Sequence, residues 1–530
     1  AGDNDVAVVR LAGSSPGHGS GDGDIVAGLI PTAWYPTGVQ VANHGSRLLV
    51  TSAKGLGVGP NPDGPNPLTG NQGPTTGDPA TDQYIVAMMR GRLSIITVPH
   101  TGQLAHYTQQ VRRNNGFTAH GPVVTAGLPS SSVIPRRVGQ PSPIKHVIYV
   151  IKENRTYDQV LGDLGRGNGD PDLALFGPNV APNQHQLAKQ FVTLDNFYAD
   201  GETTNHGWEW TSAANTNTYN ETVTPGTYTF NGRAISPGPD SEHAYDAAEN
   251  PQAAYIWDKL IAAHRNFRNY GFSPTGFDAA LAAYSDPNFA GFNTAITDRS
   301  RIQEWQREYA NYEQTNTLPP FEIMELGDDH TSGTSPGGPT PSAQVADNDY
   351  ALGQLVDTVS HSKDWKDTAI FVVEDDAQDG ADHVDAHRIP AQVISPYTQY
   401  GTVDSTLYSQ ASTLHTIELI LGLAPMSQFD AAATPLVASF KNKPNLTPYD
   451  QITPTQNMDE TNSASAPMAQ QSERWNFTKA DAAPDDLLNK AIWESVKGAN
   501  TPMPSPMTMG APEASPHRAA KAQNPSTPDK

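Results

Sequence analysis

The spacing of apolar residues changes character near residue 140. Before it, short apolar runs of the β type alternate with turns rich in Gly and Pro, and helical periodicity is scarce. These runs cover residues 6–9, 47–51, 84–87 and 92–98. Short strands in series predict an all-β module over residues 1–140.

After residue 141 the chain alternates apolar strand-like runs with helical stretches. The strand-like runs cover residues 146–151, 191–194, 321–324, 368–373 and 390–394, and helical spacing recurs at 302–312, 341–360 and 407–423. Strands that alternate with helices predict an α/β domain over residues 141–500, with a mostly parallel sheet sandwiched by helices.

The segment 341–360 has the clearest helical periodicity. Its apolar positions fall on one face and are Val345, Leu352, Val356 and Val359. The polar positions Asp347, Asn348 and Asp357 are expected to face mostly away from the core.

Two further segments lack such a pattern. Residues 205–300 are rich in Asn, Thr, Gly and Pro and are too long for one crossover, so we expect a cap insertion over the sheet edge. Residues 501–530 are rich in Pro and Ser and are expected to form a disordered tail. No run approaches the roughly 20 apolar residues of a bilayer span, which excludes a polytopic membrane protein.

Charge and cysteine usage narrow the possible functions. The chain has 33 Lys and Arg against 56 Asp and Glu, a formal charge of −23, which argues against general nucleic-acid binding. A phosphate-bearing substrate would need a metal or a local set of donors. The absence of Cys excludes disulfides, thiol nucleophiles and zinc bound by Cys. High Gly and Pro, few charges and a start without Met favour a processed, secreted or periplasmic enzyme.

Polar clusters follow four of the predicted strands. Glu153 and Asn154 come directly after the run 146–151, and Thr156 with Gln159 forms a capping box that predicts a helix from Thr156 to about residue 164. Alternatively, Asn154 is a turn residue and Glu153 a solvated charge at a helix start.

The second cluster is the pair Thr203 and Thr204, before a helix-like stretch at 208–215. A hydroxyl at a helix N-terminus lies near free N–H groups that can hold an anion, and metal coordination can make a Thr nucleophilic. Alternatively, one of the two is a simple N-cap.

The third cluster begins with three consecutive acids, Glu374, Asp375 and Asp376, at the end of the apolar run 368–373. Such acids repel one another unless a cation offsets them, and oxygen ligands suit Mg, Mn or Ca. The nearby His383 and His387 leave room for Zn or Fe. An acidic surface loop is the alternative.

The fourth cluster contains His330, which comes after the run 321–326. His330 could donate a proton to a leaving oxygen or bind a phosphate oxygen. Alternatively, it is a histidine whose hydrogen bonds are satisfied within a loop. Because parallel strands end at one edge of a sheet, all four clusters are expected to meet there. Carboxylates, an amide, a hydroxyl and histidines together indicate a site for metal-assisted phosphoryl transfer.

These motifs resemble those of a known family. The run 151–158 (IKENRTYD) resembles the opening motif of the bacterial phosphoesterase family that contains phospholipases C and acid phosphatases, within the alkaline phosphatase superfamily. The resemblance covers about residues 144–440 and includes NFYADGE, DHT, ADND and EDD. It implies an alkaline-phosphatase-like fold and hydrolysis of phosphate monoesters or diesters.

The resemblance also implies roles for particular residues. Glu153, Asn154, Asp375 and Asp376 would bind one divalent metal ion. Thr204 would be the nucleophile, in contact with the metal, and would form a phosphothreonyl intermediate. The adjacent Thr203 would bind the substrate or could replace Thr204 as the nucleophile. His330, His383 and His387 would bind phosphate oxygens or protonate the leaving group. The metal's identity stays open among Ca, Mn, Mg, Zn and Fe.

Residues 34–51 resemble one repeat of a YVTN-type β-propeller. About 140 residues could form only about three blades of 40–45 residues, whereas propellers have at least four. We therefore expect terminal blades, with the earlier blades missing from this chain; these could form a separate fragment. The oligomeric state stays open.

Two alternatives remain to a phosphoesterase. The first is a catalytically inactive binding protein that uses the propeller to recognise a partner. The second is a sulfatase or phosphoglycerate-mutase relative, although this cysteine-free chain does not show a sulfatase motif.

Overall fold

The computed structural model describes residues 4–12, 24–55, 57–60, 85–89, 91–115, 132–217, 221, 255–272, 279–377, 380–477, 483 and 485–501. Much of the predicted cap, and the predicted tail beyond residue 501, lie outside these residues. In the part that is described, no helix combines the length and the apolar character needed to cross a membrane.

Short antiparallel strands precede residue 140, and strands alternate with helices after it. The strands are β1 Asp5–Arg10, β2 Ile25–Pro31, β3 Trp34–Ala42, β4 Arg47–Gly55, β5 Arg92–Thr97, β6 His146–Lys152, β7 Val192–Leu194, β8 Phe197–Tyr198, β9 Arg268–Tyr270, β10 Phe321–Leu326, β11 Thr368–Glu374, β12 Gln392–Ile394, β13 Thr402–Asp404 and β14 Tyr408–Ser409. The α-helices are Ile85–Met88, Thr101–Asn114, Tyr157–Leu161, Pro182–Gln190, Thr204–Ala213, Ile256–Ala262, Ala279–Ala282, Asp298–Thr315, Pro341–Ser360, Gln410–Leu421, Gln428–Ala432, Ala469–Ser472 and Asp485–Lys497. Three 3₁₀ turns are Asp328–His330, Trp365–Asp367 and Val437–Ser439.

A five-stranded sheet forms the centre of the α/β part, in the order β12-β11-β6-β10-β9. Strands β11, β6, β10 and β9 run parallel, and β12 joins the edge antiparallel to β11. Strand β6 shows why both faces are covered. Val147, Tyr149 and Ile151 belong to one buried cluster, and Ile148 and Val150 belong to the cluster on the other side. The predicted mixed α/β fold with a mostly parallel sheet is confirmed.

The strand predicted at 191–194 is confirmed as a strand but lies outside the central sheet. It corresponds to β7, which pairs with β13, and the following β8 pairs with β14. The pattern of apolar residues marks a buried strand without specifying its partner, so the sequence could not separate these short pairs from the main sheet.

The helix predicted at 341–360 has the bounds Pro341–Ser360. The prediction that its polar positions face away is wrong for Asp347 and Asn348, which are buried. Asn348 donates to Asp298 Oδ2 at 2.9 Å and to Asp329 Oδ1 at 3.3 Å, and Asp347 pairs with Arg299. The helix is therefore packed on both its apolar and its polar faces.

The N-terminal part forms two small antiparallel sheets, β1-β2 and β3-β4-β5. Residues 85–88 are helical, so the strand predicted there is wrong, and the 14-residue helix Thr101–Asn114 was not predicted. The larger of the two sheets described in this part has three strands, so a propeller is not shown.

Candidate active site

Three of the four predicted clusters emerge at one edge of the central sheet. Lys152, the last residue of β6, is aligned with Leu326 at the end of β10 and with Glu374 at the end of β11. The chain that follows each parallel strand therefore leaves the sheet at the same level. The segments that follow start at this level: Glu153 comes after β6, the 3₁₀ turn Asp328–His330 after β10, and Asp375 after β11.

Thr204 reaches this edge from a separate helix. Its Oγ1 lies 3.0 Å from Glu153 Oε1 and 2.9 Å from Asp376 Oδ2, in a fully buried position. Asn154 Nδ2 donates to Asp376 Oδ1 at 3.0 Å. The structure thus brings Glu153, Asn154, Thr204 and Asp376 together, and we refer to these four residues as the threonine site.

Asp375 lies next to the threonine site and is fully buried. Its amide donates to the carbonyl oxygen of Lys152 at 3.0 Å, which continues the ladder between β11 and β6 by one residue. The carbonyl of Asp375 packs against Gly207, in the first turns of the helix that starts at Thr204. This contact holds the threonine helix against the acidic loop.

Thr203 and Thr204 have different local surroundings. Thr203 occupies the N-cap position of the helix Thr204–Ala213, but its side chain makes no capping hydrogen bond. Thr203 Oγ1 is buried with no hydrogen-bond partner among the residues described. The hydroxyl that meets the carboxylates belongs to Thr204, whereas Thr203 takes the N-cap position without a capping side-chain hydrogen bond.

The threonine site suits a divalent cation. The Thr204 hydroxyl has one proton and two carboxylate oxygens within hydrogen-bond distance, so with both carboxylates ionised one of the two contacts brings lone pairs together. Asn154 Oδ1 is buried and has no hydrogen-bond partner within the described chain. Carboxylate, amide and hydroxyl oxygens are the donors that hard cations prefer. Glu153, Asn154, Thr204, Asp375 and Asp376 are the residues that could hold such an ion.

Elsewhere in the described residues, three groups of acids and histidines have ligand atoms within 4.8 Å of one another. They are Asp158–Asp382–His383, His146–Asp364–Asp367 and Asp357–His361–Asp450. The carboxylates of Glu153, Asp375 and Asp376 do not form such a group in the described structure. Binding at the threonine site would therefore draw on the amide and the hydroxyl as well as the acids.

Lys152 was not predicted as part of the site. Its Nζ is buried and lies 2.5 Å from Asp329 Oδ2 and 2.7 Å from Glu374 Oε1. Burial alone would lower the pKa of Lys152, but the two carboxylates outweigh it and raise the pKa. Asp329 Oδ1 also accepts a hydrogen bond from the amide of Glu153 at 3.2 Å. Lys152 therefore offsets negative charge on Asp329 and Glu374, which lie behind the threonine site. Its position as a lysine at the end of an apolar strand is the sequence feature that could have identified it.

His330 lies beside the same edge. Its Nδ1 is 2.8 Å from the carbonyl oxygen of Thr331, and its ring meets Phe292 edge-on at 5.4 Å. Arg155, which follows Asn154 in the chain, donates to the carbonyl oxygen of His330 at 2.8 Å. His330 is thus fixed behind the loop that carries Glu153.

His387 lies on the other side, near the start of the threonine helix. Its Nδ1 is 3.0 Å from Asp385 Oδ1 and its Nε2 is 3.7 Å from Glu202 Oε1. Burial alone would lower the pKa of His387, but Asp385 and Glu202 outweigh burial and raise it to about 9. His387 is therefore protonated at neutral pH.

Glu202 connects His387 with the threonine helix. Its Oε2 lies 2.9 Å from His206 Nδ1, and Lys54 pairs with its Oε1. Burial would raise the pKa of Glu202, but Lys54 and His206 hold it well below its usual range. No role was predicted from the sequence for Glu202, His206 or Lys54, although the first two lie within the NFYADGE–TTNH stretch.

His383 belongs to a different cluster. Its Nδ1 lies 2.6 Å from Asp158 Oδ2, and Arg388 pairs with Asp158 Oδ1 at 3.0 Å and with Asp382 Oδ1 at 3.0 Å. The segment from His383 to His387 is not helical, so the two histidines do not form an (i, i+4) pair on one helix face. The structure does not bring His383 to the threonine site.

Two tryptophans at the start of the predicted cap segment pack against other aromatic side chains. Trp208 packs on Phe272 with ring centroids 4.4 Å apart, and Trp210 meets Phe429 at 5.2 Å. Trp208 is buried in the core beneath the central sheet. Tyr219, Tyr228 and Phe230 lie outside the described residues.

Solved structures similar to this chain have low sequence identity. A protein of the alkaline phosphatase superfamily from Vibrio parahaemolyticus is 19% identical over 57% of this chain and 72% of its own, with a TM-score of 0.38. The lipoteichoic acid synthase LtaP from Listeria monocytogenes is 14% identical over 74% of this chain and 99% of its own, with a TM-score of 0.37. The phosphonate monoester hydrolase of Agrobacterium radiobacter is 13% identical over 53% of this chain and 74% of its own, with a TM-score of 0.33.

No curated protein matches the chain. A family match covers the part that contains Thr204, Asp375 and Asp376, whereas Glu153 and Asn154 precede it. Residues 166–424 match the Phosphoesterase family, and this match indicates that the chain is a hydrolase acting on phosphate esters.

Proposed function

We propose that this protein is a metal-dependent phosphoesterase that uses Thr204 as its nucleophile. The observation that carries the proposal is the position of Thr204 Oγ1, within 3.0 Å of Glu153 Oε1 and 2.9 Å of Asp376 Oδ2. A threonine hydroxyl is a poor nucleophile until its proton is removed, and two adjacent carboxylates can accept that proton.

One divalent ion completes the proposed site. Glu153, Asn154, Thr204, Asp375 and Asp376 would hold it, and it would supply positive charge that favours the alkoxide and offsets the charge of the phosphoryl group. The unpartnered, buried Oδ1 of Asn154 supports this assignment.

The chain's own residues account for the proton transfers of the proposed reaction. The proton of Thr204 passes to Glu153 or Asp376 as Oγ1 attacks phosphorus, and the bond from phosphorus to the leaving oxygen breaks. His387, held protonated by Asp385 and Glu202, is assigned to donate a proton to the leaving alkoxide. Water then cleaves the phosphothreonyl ester, which releases phosphate from a monoester and restores the Thr204 hydroxyl.

The roles proposed for the other histidines differ. His330, fixed beside the loop that carries Glu153, is assigned to a phosphate oxygen. His383 is assigned no part in the reaction, because its ring is committed to Asp158 in the cluster with Arg388.

Hydrolysis of aryl phosphate monoesters and diesters tests this proposal directly. The protein is stripped with EDTA and assayed alone and after addition of Mg, Mn, Ca, Zn or Fe, while its metal content is measured as purified. We expect loss of turnover on stripping and recovery with one of these metals. Absence of hydrolysis of both ester types with every metal would overturn the proposal and favour an inactive binding protein.

A covalent intermediate can be detected independently of turnover. Rapid acid quenching during hydrolysis, followed by peptide mass spectrometry, should locate phosphate on the peptide that contains Thr204. Phosphate on another residue would assign the nucleophile elsewhere. We further propose a secreted or periplasmic location, on composition alone, which fractionation of the source cells tests.

A further inference from the structure

The N-terminal sheet contacts Glu202, two residues before Thr204, through Lys54. This residue lies near the end of β4, and its Nζ is 2.9 Å from Glu202 Oε1 and 2.7 Å from Glu221 Oε2. The Lys54 side chain is 18% exposed, whereas the side chains of Glu202 and Glu221 are 3% and 7% exposed. The ammonium group is therefore the cation that offsets two largely buried acids of the α/β part.

Glu202 also contacts the threonine helix and the loop that carries His387. It lies two residues before Thr204, and its Oε2 is 2.9 Å from His206 Nδ1, in the first turn of the threonine helix. Its Oε1 also faces His387 Nε2 at 3.7 Å. One carboxylate thus connects the N-terminal sheet, the start of the threonine helix and the loop that carries His387.

A second contact from the N-terminal part holds the His387 loop. Gly59 N donates to Asp385 Oδ2 at 3.2 Å, and Ala386 N donates to Gly59 O at 2.9 Å. Val58, Ile85 and Met88 form a small apolar cluster with Ala386. The two residues that precede His387 are therefore braced by Gly59 and by this apolar cluster.

We propose that Lys54 is a positioning residue of the threonine site, acting through Glu202 to fix the orientation of Thr204 and His387. This inference rests on the proposed function. Without the ammonium group, Glu202 and Glu221 would be two buried like charges with reduced compensation, and their separation would displace the start of the threonine helix. A displacement of about 1 Å at a reacting group can cost about 100-fold in rate.

Kinetics of Lys54 variants test the proposal. Lys54→Met should lower kcat by about 10- to 100-fold and change KM by less than about threefold, because the proposal has Lys54 act through Glu202 and gives it no contact with substrate. Lys54→Arg keeps the charge and should restore most of kcat. Arg47→Met, an exposed position on the same strand, is the matched control and should leave both constants unchanged. Equal kcat for Lys54→Met and the native protein would overturn the proposal.

A double-mutant cycle tests whether Lys54 acts through Glu202. Glu202→Gln alone should reduce kcat to a similar extent, and adding Lys54→Met should then change kcat less than about twofold. Independent, multiplicative losses would overturn the proposed route. If Lys54→Met does not fold, the variants Glu202→Gln and Lys54→Arg provide the test. Full kcat in Glu202→Gln would contradict the proposal. A reduced kcat in Glu202→Gln together with a nearly native kcat in Lys54→Arg would support it.

Hydrogen exchange separates this inference from the proposed reaction. In Lys54→Met, amides of residues 200–207 should exchange faster, while those of β6 and β11 stay protected. This result with a native protein that hydrolyses no phosphate ester would retain the positioning role and reject the proposed function. Unchanged exchange over residues 200–207 would reject the positioning role whatever the activity.

Discussion

Gly207 packs directly against the main-chain carbonyl of Asp375. A Cβ on residue 207 would overlap both the carbonyl carbon and its oxygen. Two segments that are far apart in the sequence, the threonine helix and the acidic loop after β11, are in backbone contact at this point. The distance between Thr204 and Asp376 is set by this close approach.

Gly207→Ala is therefore expected to separate the helix from the acidic loop. Since backbone must move on one side, we expect kcat for an aryl phosphate to fall at least about tenfold and stability to fall by about 1–3 kcal/mol. Gly102→Ala is the control, because a Cβ there meets His100 at an ordinary 3.5 Å. Full activity in Gly207→Ala would show that the contact does not set the geometry of the site.

Thr204→Ala is expected to abolish turnover, by more than about 10³-fold, because it removes the proposed attacking oxygen. Thr204→Ser keeps the hydroxyl and should retain measurable activity. Thermal melting should show a folded protein in both cases. Steady-state hydrolysis and quenched-flow labelling provide the measurement.

Thr203→Val is the matched control for the threonine pair. The Thr203 hydroxyl is buried without a partner in the described structure, so replacing it with a methyl group should be neutral or slightly stabilising and should preserve kcat. Loss of turnover in Thr203→Val, with retention in Thr204→Ala, would transfer the nucleophile to Thr203.

Glu153→Gln and Asp376→Asn are expected to weaken metal binding. Each removes one negative charge next to Thr204 Oγ1, so the bound metal per chain should fall and EDTA should shift Tm less than in the native protein. Asp450→Asn alters the exposed group that contains His361 and should leave metal content unchanged. Metal loss in Asp450→Asn alone would place the ion outside the threonine site.

Glu322 predicts a pH dependence of stability. Burial raises its pKa from 4.5 to about 7, and its Oε2 accepts a hydrogen bond from Trp305 Nε1. The raised folded pKa contributes stability below about pH 4.5 that is lost as the pH rises through 7, up to about 3 kcal/mol. Glu322→Gln avoids this loss, so its gain in Tm should be larger at pH 8 than at pH 4.5. An equal change at both values would contradict the assignment.

The sequence was most informative where one local rule determined the structure. The capping box of Thr156 and Gln159 forms as predicted, and the helix it starts runs over Tyr157–Leu161. The strands β6, β10 and β11 lie where apolar runs predicted them, because a strand buried on both faces requires a continuous apolar run. These three strands bring Glu153, Asp329 and Asp375 to one edge.

Other features depend on partners that a sequence pattern does not specify. Asp347 and Asn348 are buried because Arg299, Asp298 and Asp329 supply partners from other segments. The helix Thr101–Asn114 has a single buried apolar residue, Val111, so its periodicity is weak.

The histidines show the same limit. His383 and His387 are four residues apart, yet one faces Asp158 and the other Asp385 and Glu202. Spacing alone could not assign them to two clusters, because the chain between them is not helical. Lys54 is far from Glu202 in the sequence, and only the folded structure shows that the two side chains form an ion pair.

The hydroxyl of Thr204 meets one carboxylate 51 residues earlier in the chain and another 172 residues later. Both contacts close long loops of chain, so their formation depends on the core that surrounds them. We therefore expect these oxygens to bind a divalent ion only in the native state. Binding of the cation would then be a measure of how much of the protein has folded.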